Sequence, residues 1–298
     1  MSRRGWAAFA AVSVLWGMPY LFIKVAVDDG VSPAFLSWSR VVIAAALLLG
    51  LAWRAGTLDS LRGRWGWILL FAALEIALPF PLIAAGEQHV SSSLTAILIA
   101  AVPLFVALLA LRYDPDERVG GTRLVGLGVG LAGVVALVGI DVAGSGEELL
   151  GALAILLAAL GYACGGMLMK HQLMELDARA AMGASLAVAG LLLTPVALLG
   201  WPAEVPSDDA LASIAVLALF STALAFLLFQ VLIAEAGPAR ASLITYVGPI
   251  VAVALGVAIL DETLGAGAIA GMALILAGSW LATGGRVPAR QLRADSRV

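Results

Sequence analysis

Apolar runs of about 20 residues alternate with short polar turns along the whole chain. They fall at 6–26, 34–53, 66–85, 92–111, 121–140, 149–169, 180–200, 210–232, 240–259 and 266–284. A helix rising 1.5 Å per residue needs about 20 residues to cross ~30 Å of hydrocarbon. Helix is the expected form, because each backbone polar group is then satisfied within its own segment. The pattern therefore predicts an all-α membrane protein with ten transmembrane helices, called segments 1 to 10 below.

The pattern is written twice. S-S-L-T-A-I-L-I-A-A-V-P ends at Pro103 and is followed by Glu117, Gly126 and Gly133. P-A-R-A-S-L-I-T-Y-V-G-P ends at Pro249 and is followed by Glu262, Gly271 and Gly278. Nine residues separate Glu117 from Gly126, and nine separate Glu262 from Gly271. Trp16 and Lys24 recur as Tyr162 and Lys170 at an offset of 146 residues. A half-chain period predicts two halves built alike, at 1–143 and 147–285, with a basic tail at 286–298. Five segments per half is an odd number. The second half would thus enter the membrane inverted, as in transporters that hold their solute at the repeat interface.

Composition agrees with a membrane location. The chain is 62% hydrophobic and 12% charged, with a mean hydropathy of +1.04. Soluble domains are nearer 45–50% apolar and about 25% charged. Of the 17 lysines and arginines, all but Lys24 and Arg40 fall on one side if the segments alternate. By the positive-inside rule that side is cytoplasmic and holds both termini. The opening M-S-R-R before an apolar run has the outline of an export signal. Its echo in the second half assigns it instead to the mature fold.

Together these residues resemble the EamA family of the drug/metabolite transporter superfamily. The likeness is carried by W-G-M-P-Y-L-F-I-K, the lone Arg40, G-E-Q-H-V-S-S, the helices reaching Pro103 and Pro249, and the acidic turns followed by paired glycines. It covers nearly all of residues 6–284 in both halves. The resemblance implies a ten-helix inverted-repeat transporter of a bacterial inner membrane, commonly a metabolite exporter, with a central cavity lined by both halves. It implies no particular solute. Glu75 departs from it, since many members carry a small or neutral polar residue there.

Glu75 lies mid-segment, where a charge costs about 2.5–3.5 kcal/mol or more. It is either a proton-coupling or cation-binding carboxylate, or a packed carboxyl. Pro79 and Pro81 remove backbone donors and bend the helix, beside a cavity or merely for packing. Arg40 is a gate or anion contact, or it snorkels its long stem to the surface or pairs with Asp28 or Asp29. Lys24 and Lys170 act in gating or anchor helix ends. Trp16 and Tyr162 stack against solute or pack beside small residues. Gln230 and Tyr246 are the polar groups of segments 8 and 9 best suited to a cavity. Glu87, Gln88 and His89 are expected at a solvated mouth.

Other chemistry is weakly represented. Gly128-x-Gly130-x-x-Gly133 matches a dinucleotide fingerprint in form, but no strand precedes it, which favours helix packing. Two histidines and the single Cys164 offer no metal cluster, so no metal or other cofactor is expected. No nucleic-acid partner is indicated; the partners are lipid and a small solute, with protons an open reading and oligomeric state undetermined. The chain is read as a secondary transporter of a small amphipathic solute by alternating access. The alternatives are a non-transporting membrane subunit and a lipid-modifying membrane enzyme.

Overall fold

Segment 1 is broken where its sequence requires a break. Helix Arg3–Gly17 stops at Met18, and helix Pro19–Asp28 restarts with proline in its first turn. The missing proline N–H is tolerated there because the first turn has no intrahelical partner for it. The computed structural model describes residues 1–113, 121–142, 145–237 and 241–282. Glu117, Arg118, Arg240 and the basic tail at 286–298 lie outside the described residues.

The described residues are helical throughout, with no strand. Segment 2 is one helix, Pro33–Arg54. Segment 3 runs Trp65–Phe71, widens into a π turn at Ala72–Ala77, and resumes as Pro79–Gly86. The Leu78 N–H reaches back to the Ala73 carbonyl at 3.0 Å, so the wider turn absorbs the ring of Pro79. Segment 4 is split into Ser92–Ile99 and Val102–Tyr113. Segment 5 is Thr122–Leu137 with a π turn at Val138–Val142. Segment 6 is Gly146–Leu168, ending in a π turn at Met169–Leu173.

Segment 7 is Ala178–Leu199. Segment 8 repeats the form of segment 3: Asp208–Ala218, a π turn at Leu219–Leu224, then Ala225–Ala236. Segments 9 and 10 are Ile244–Ile259 and Ala266–Ala282. The first eight segments are long and apolar enough to cross a membrane; the last two, as described, are shorter apolar helices. The outer surface is apolar, with Val135, Leu150, Leu191 and Leu199 largely exposed. Such a continuous apolar exterior suits lipid.

Segments 2 and 7 pack along their length, and so do segments 5 and 10. The second pair is held by glycines. A Cβ on Gly133 would lie 2.7 Å from Leu274 Cβ and 3.1 Å from the Gly271 carbonyl oxygen. One on Gly278 would meet the Gly130 backbone. The repeated glycines thus bring two backbones together, as small residues do between membrane helices. Gly128 faces open space and Gly130 meets Leu104. The fingerprint-like run is a helix-packing surface.

Two carboxylates cap helices across the fold. Asp141 Oδ1 accepts from the Gly267 N–H at 3.1 Å, and Oδ2 from Ala268 at 2.5 Å. Glu262 accepts from the N–H groups of Ser92 at 2.7 Å and Ser93 at 3.0 Å, at the start of segment 4. Negative charge at a helix N-terminus satisfies its free donors and its dipole. Glu262 is aimed there by Asp261, whose φ of +52° turns the chain sharply after segment 9.

Candidate functional site

The helix breaks of segments 1, 3 and 4 and the π turns of segments 3 and 8 border one cavity of about 410 Å³. Its walls come from segments 1, 3, 4, 6, 8 and 9, and from segment 2 through Arg40. On segment 1, Trp16, Pro19, Tyr20 and Ile23 share one face at helical spacing. Gly17 lets that helix close on segment 9, where a Cβ would stand 2.6 Å from Val251 Cβ and 2.9 Å from the Gly248 carbonyl oxygen.

Aromatic rings form one part of the wall. The Trp16 ring meets Phe226 edge-on at 5.6 Å and lies 4.7 Å from Phe229. Both phenylalanines line the cavity. Such pairs prefer tilted or edge-to-face geometry and leave apolar ring surface available for an apolar guest.

The polar groups are few. Arg40 is 8% exposed. Its Nε donates to Thr222 Oγ1 at 2.7 Å, and its guanidinium sits 4.2 Å above the Phe80 ring. Thr222 in turn donates to the Leu217 carbonyl at 2.8 Å. Among the described residues no carboxylate pairs with Arg40. Asp28 is taken by Lys24 at 2.8 Å, and Asp29 accepts from the Ser207 N–H at 3.2 Å. Neither partner expected from the sequence is used. A buried guanidinium held by a hydroxyl and an aromatic face keeps N–H donors available for an anion.

Glu75 enters the cavity from the π turn of segment 3. Its carboxyl lies against Gly165 of segment 6, and Oε2 has no hydrogen-bond partner. Gly161, one turn earlier on segment 6, faces the Leu74 carbonyl, where a Cβ would approach to 2.7 Å. The two glycines make a flat strip that accepts the widened turn. The π turn of segment 8 does the same for Ser221, which lines the cavity, and for Thr222, which holds Arg40. Extra residues in a helical turn re-aim side chains, and such turns recur at functional sites.

Trp16, Arg40, Glu75 and Tyr162 all line the cavity. Gln230 and Tyr246 do not; their neighbours Phe229 and Thr245 take those places. One residue turns a helix by about 100°, enough to move a side chain off the wall. Lys24 and Lys170 are also off the wall. Lys24 Nζ donates to Asp28 Oδ1 at 2.8 Å and to the Glu87 carbonyl at 2.9 Å, tying helix ends together. Lys170 is exposed in the terminal π turn of segment 6.

One expectation is corrected outright. Glu87 is not at a solvated mouth: it is 0% exposed, and neither carboxyl oxygen has a partner. Gln88 and His89 are exposed, with His89 Nδ1 at 3.9 Å from Glu147.

An apolar helical bundle enclosing a small mixed-polarity chamber is the architecture of a membrane carrier for small solutes. The chain belongs to the EamA-like transporter family, which matches residues 3–139 and again 149–284. It is a multi-pass integral membrane protein of that transporter family. It is similar to the "Uncharacterized inner membrane transporter YedA" of Escherichia coli K12, at 29% identity over 86% of this chain and 83% of the relative. The "Uncharacterized transporter sll0355" of Synechocystis is 28% identical over 90% and 86%. The "Probable amino-acid metabolite efflux pump" of Escherichia coli K12 is 24% identical over 94% and 95%. A solved crystal structure shares the fold with a TM-score of 0.67, at 20% identity over 94% of this chain and 96% of the other.

Proposed function

We propose that this chain exports a small amphipathic organic solute by alternating access, with the solute held between the aromatic wall and Arg40. The observation that carries the reading is the cavity, in which a carboxylate-free guanidinium and one carboxyl face ring surface contributed by segments far apart in sequence. An apolar body would lie against Trp16, Phe226 and Phe229, and an acidic group would meet Arg40. The efflux relative named for amino-acid metabolites supports a solute of that size and polarity. Outward transport rests on the same likeness.

The moving parts in this proposal are two inverted five-helix repeats, 1–143 and 147–285. Several observations support it. The family matches the chain twice. Segments 3 and 8 carry π turns at Ala72–Ala77 and Leu219–Leu224, 147 positions apart (219 − 72). Segment 2 pairs with segment 7, and segment 5 with segment 10, as a two-fold axis would require. Both termini are assigned to the cytoplasm on the distribution of arginine. In a Cys164→Ala background, an impermeant thiol reagent outside cells should label cysteine at Ser145 or Ser207. Labelling at Ser2 would contradict the orientation.

Glu75 is the proposed coupling carboxyl, because it lines the solute chamber and its Oε2, packed against Gly165, has no hydrogen-bond partner. Proteoliposomes containing only this protein test the whole reading. Tritiated L-tryptophan, L-phenylalanine and their N-acetyl derivatives serve as probes spanning zwitterion and anion. At least one should move, and Glu75→Gln should keep exchange while losing accumulation driven by a pH gradient. No flux of any probe would defeat the proposed amphipathic solute class.

A further inference from the structure

Glu87 does not line the solute chamber; it follows segment 3, five residues before the helix start that Glu262 holds. Lys24 donates to its main-chain carbonyl and to Asp28, not to its carboxyl. Ser92 Oγ, five residues on, is also buried and unpartnered. Glu262, from the turn after segment 9, grips the Ser92 and Ser93 N–H groups, and Ser93 Oγ donates to it at 2.5 Å. Glu262 is thus a latch between the two halves; it holds the helix start five residues after Glu87, and its charge acts on the buried, donor-free Glu87 carboxyl.

We propose that Glu87 is a proton-binding site that controls this latch: protonated Glu87 favours the closed contact, and ionised Glu87 favours its opening. The inference rests on the alternating-access reading. An unpaired carboxylate shut away from water is strongly disfavoured, whereas a neutral carboxyl is tolerated. The groups facing Glu87 are Tyr20, Lys24 and Asp28 on segment 1, Arg40 on segment 2 and Glu262 after segment 9. His89 and Glu147 pair beyond them. Burial holds the Glu87 carboxyl well above the ordinary carboxylate range. Opening the latch admits water and returns it toward that range.

The sign follows. The closed form binds the proton more tightly, so lower pH favours closure and rising pH favours opening. One proton can change the closed-to-open ratio by at most about tenfold per pH unit, between its hydrated and buried pKa values.

Nitroxide labels at Gln88 and Thr263, in a Cys164→Ala background in nanodiscs, report the latch directly by pulsed dipolar spectroscopy. We expect one short distance at low pH and a longer population that grows as pH rises. Glu87→Gln, and the non-ionisable Glu87→Met, should hold the short distance at every pH, which also demonstrates that these variants fold. A pH-independent distance with Glu87 present, or the same titration in Glu87→Gln, would overturn the proposal. The readout needs no solute, so it fails or succeeds separately from the flux test.

Discussion

Gly278→Ala is the sharpest probe of how the halves are joined. Its new methyl would fall on the Gly130 backbone and stand 2.7 Å from the Gly126 carbonyl oxygen. Backbone cannot rotate aside, so segments 5 and 10 must separate. Overpacking costs about 1–3 kcal/mol, and a clash with main chain belongs at the upper end. Replacing glycine by alanine in a helix returns about 1 kcal/mol. The net loss should be about 2 kcal/mol. Gly128→Ala is the internal control, because a Cβ there meets no atom within 4 Å. It should gain up to about 1 kcal/mol. The two variants therefore differ by about 3 kcal/mol, on the order of 5–10 °C in melting temperature. Thermal unfolding of the purified proteins, followed by size-exclusion profile after heating, measures the gap. Equal melting of both variants would refute the close backbone approach.

Two further outcomes follow from the geometry. Trp16→Ala and Tyr162→Ala should lower probe flux at least severalfold with near-normal expression, since both rings line the cavity; unchanged flux would remove them from the path. Asp177 caps segment 7, accepting from the N–H groups of Arg179 at 3.0 Å and Ala180 at 3.3 Å. The Arg179 side chain bonded to it holds its carboxyl below the usual range. A depressed folded value means this contribution is present above the unfolded pKa and fades as pH falls through the folded one. Asp177→Ala should cost about 1 kcal/mol at neutral pH, with the gap to the native protein closing in acid; a gap that widens in acid would contradict the cap.

Much of the fold can be read from local signals. The apolar runs locate each of the ten segments to within a few residues, though not the short helix Leu58–Leu61 between segments 2 and 3, and Pro19 and Pro79 mark real interruptions. The run Gly128 to Gly133 reads as a helix-packing surface, and its Gly130 and Gly133 do meet segment 10, while Gly128 does not. The site is harder, because segments such as A-F-L-L-F-Q-V-L are apolar on every face. Periodicity then cannot say that Phe226 and Phe229 face inward while Gln230 does not. The π turn of segment 8 has no proline or glycine to announce it. Glu87 stands in the polar run G-E-Q-H after segment 3, and nothing local there distinguishes it from its exposed neighbours Gln88 and His89. Arg40 bonds to Thr222, 182 positions away, while Lys24 holds Asp28 and the Ser207 N–H holds Asp29.

The central claim is that the chamber between Trp16, Arg40, Glu75 and Tyr162 is where solute crosses. Ser221 lines it and is buried, with its Oγ unpartnered, so cysteine fits there with little change. In a Cys164→Ala background, Ser221→Cys should support flux until alkylated by a small maleimide, and then lose it. Val135→Cys, on the exposed apolar exterior, should keep flux after the same treatment. Undiminished flux through fully alkylated Ser221→Cys protein would contradict the claim.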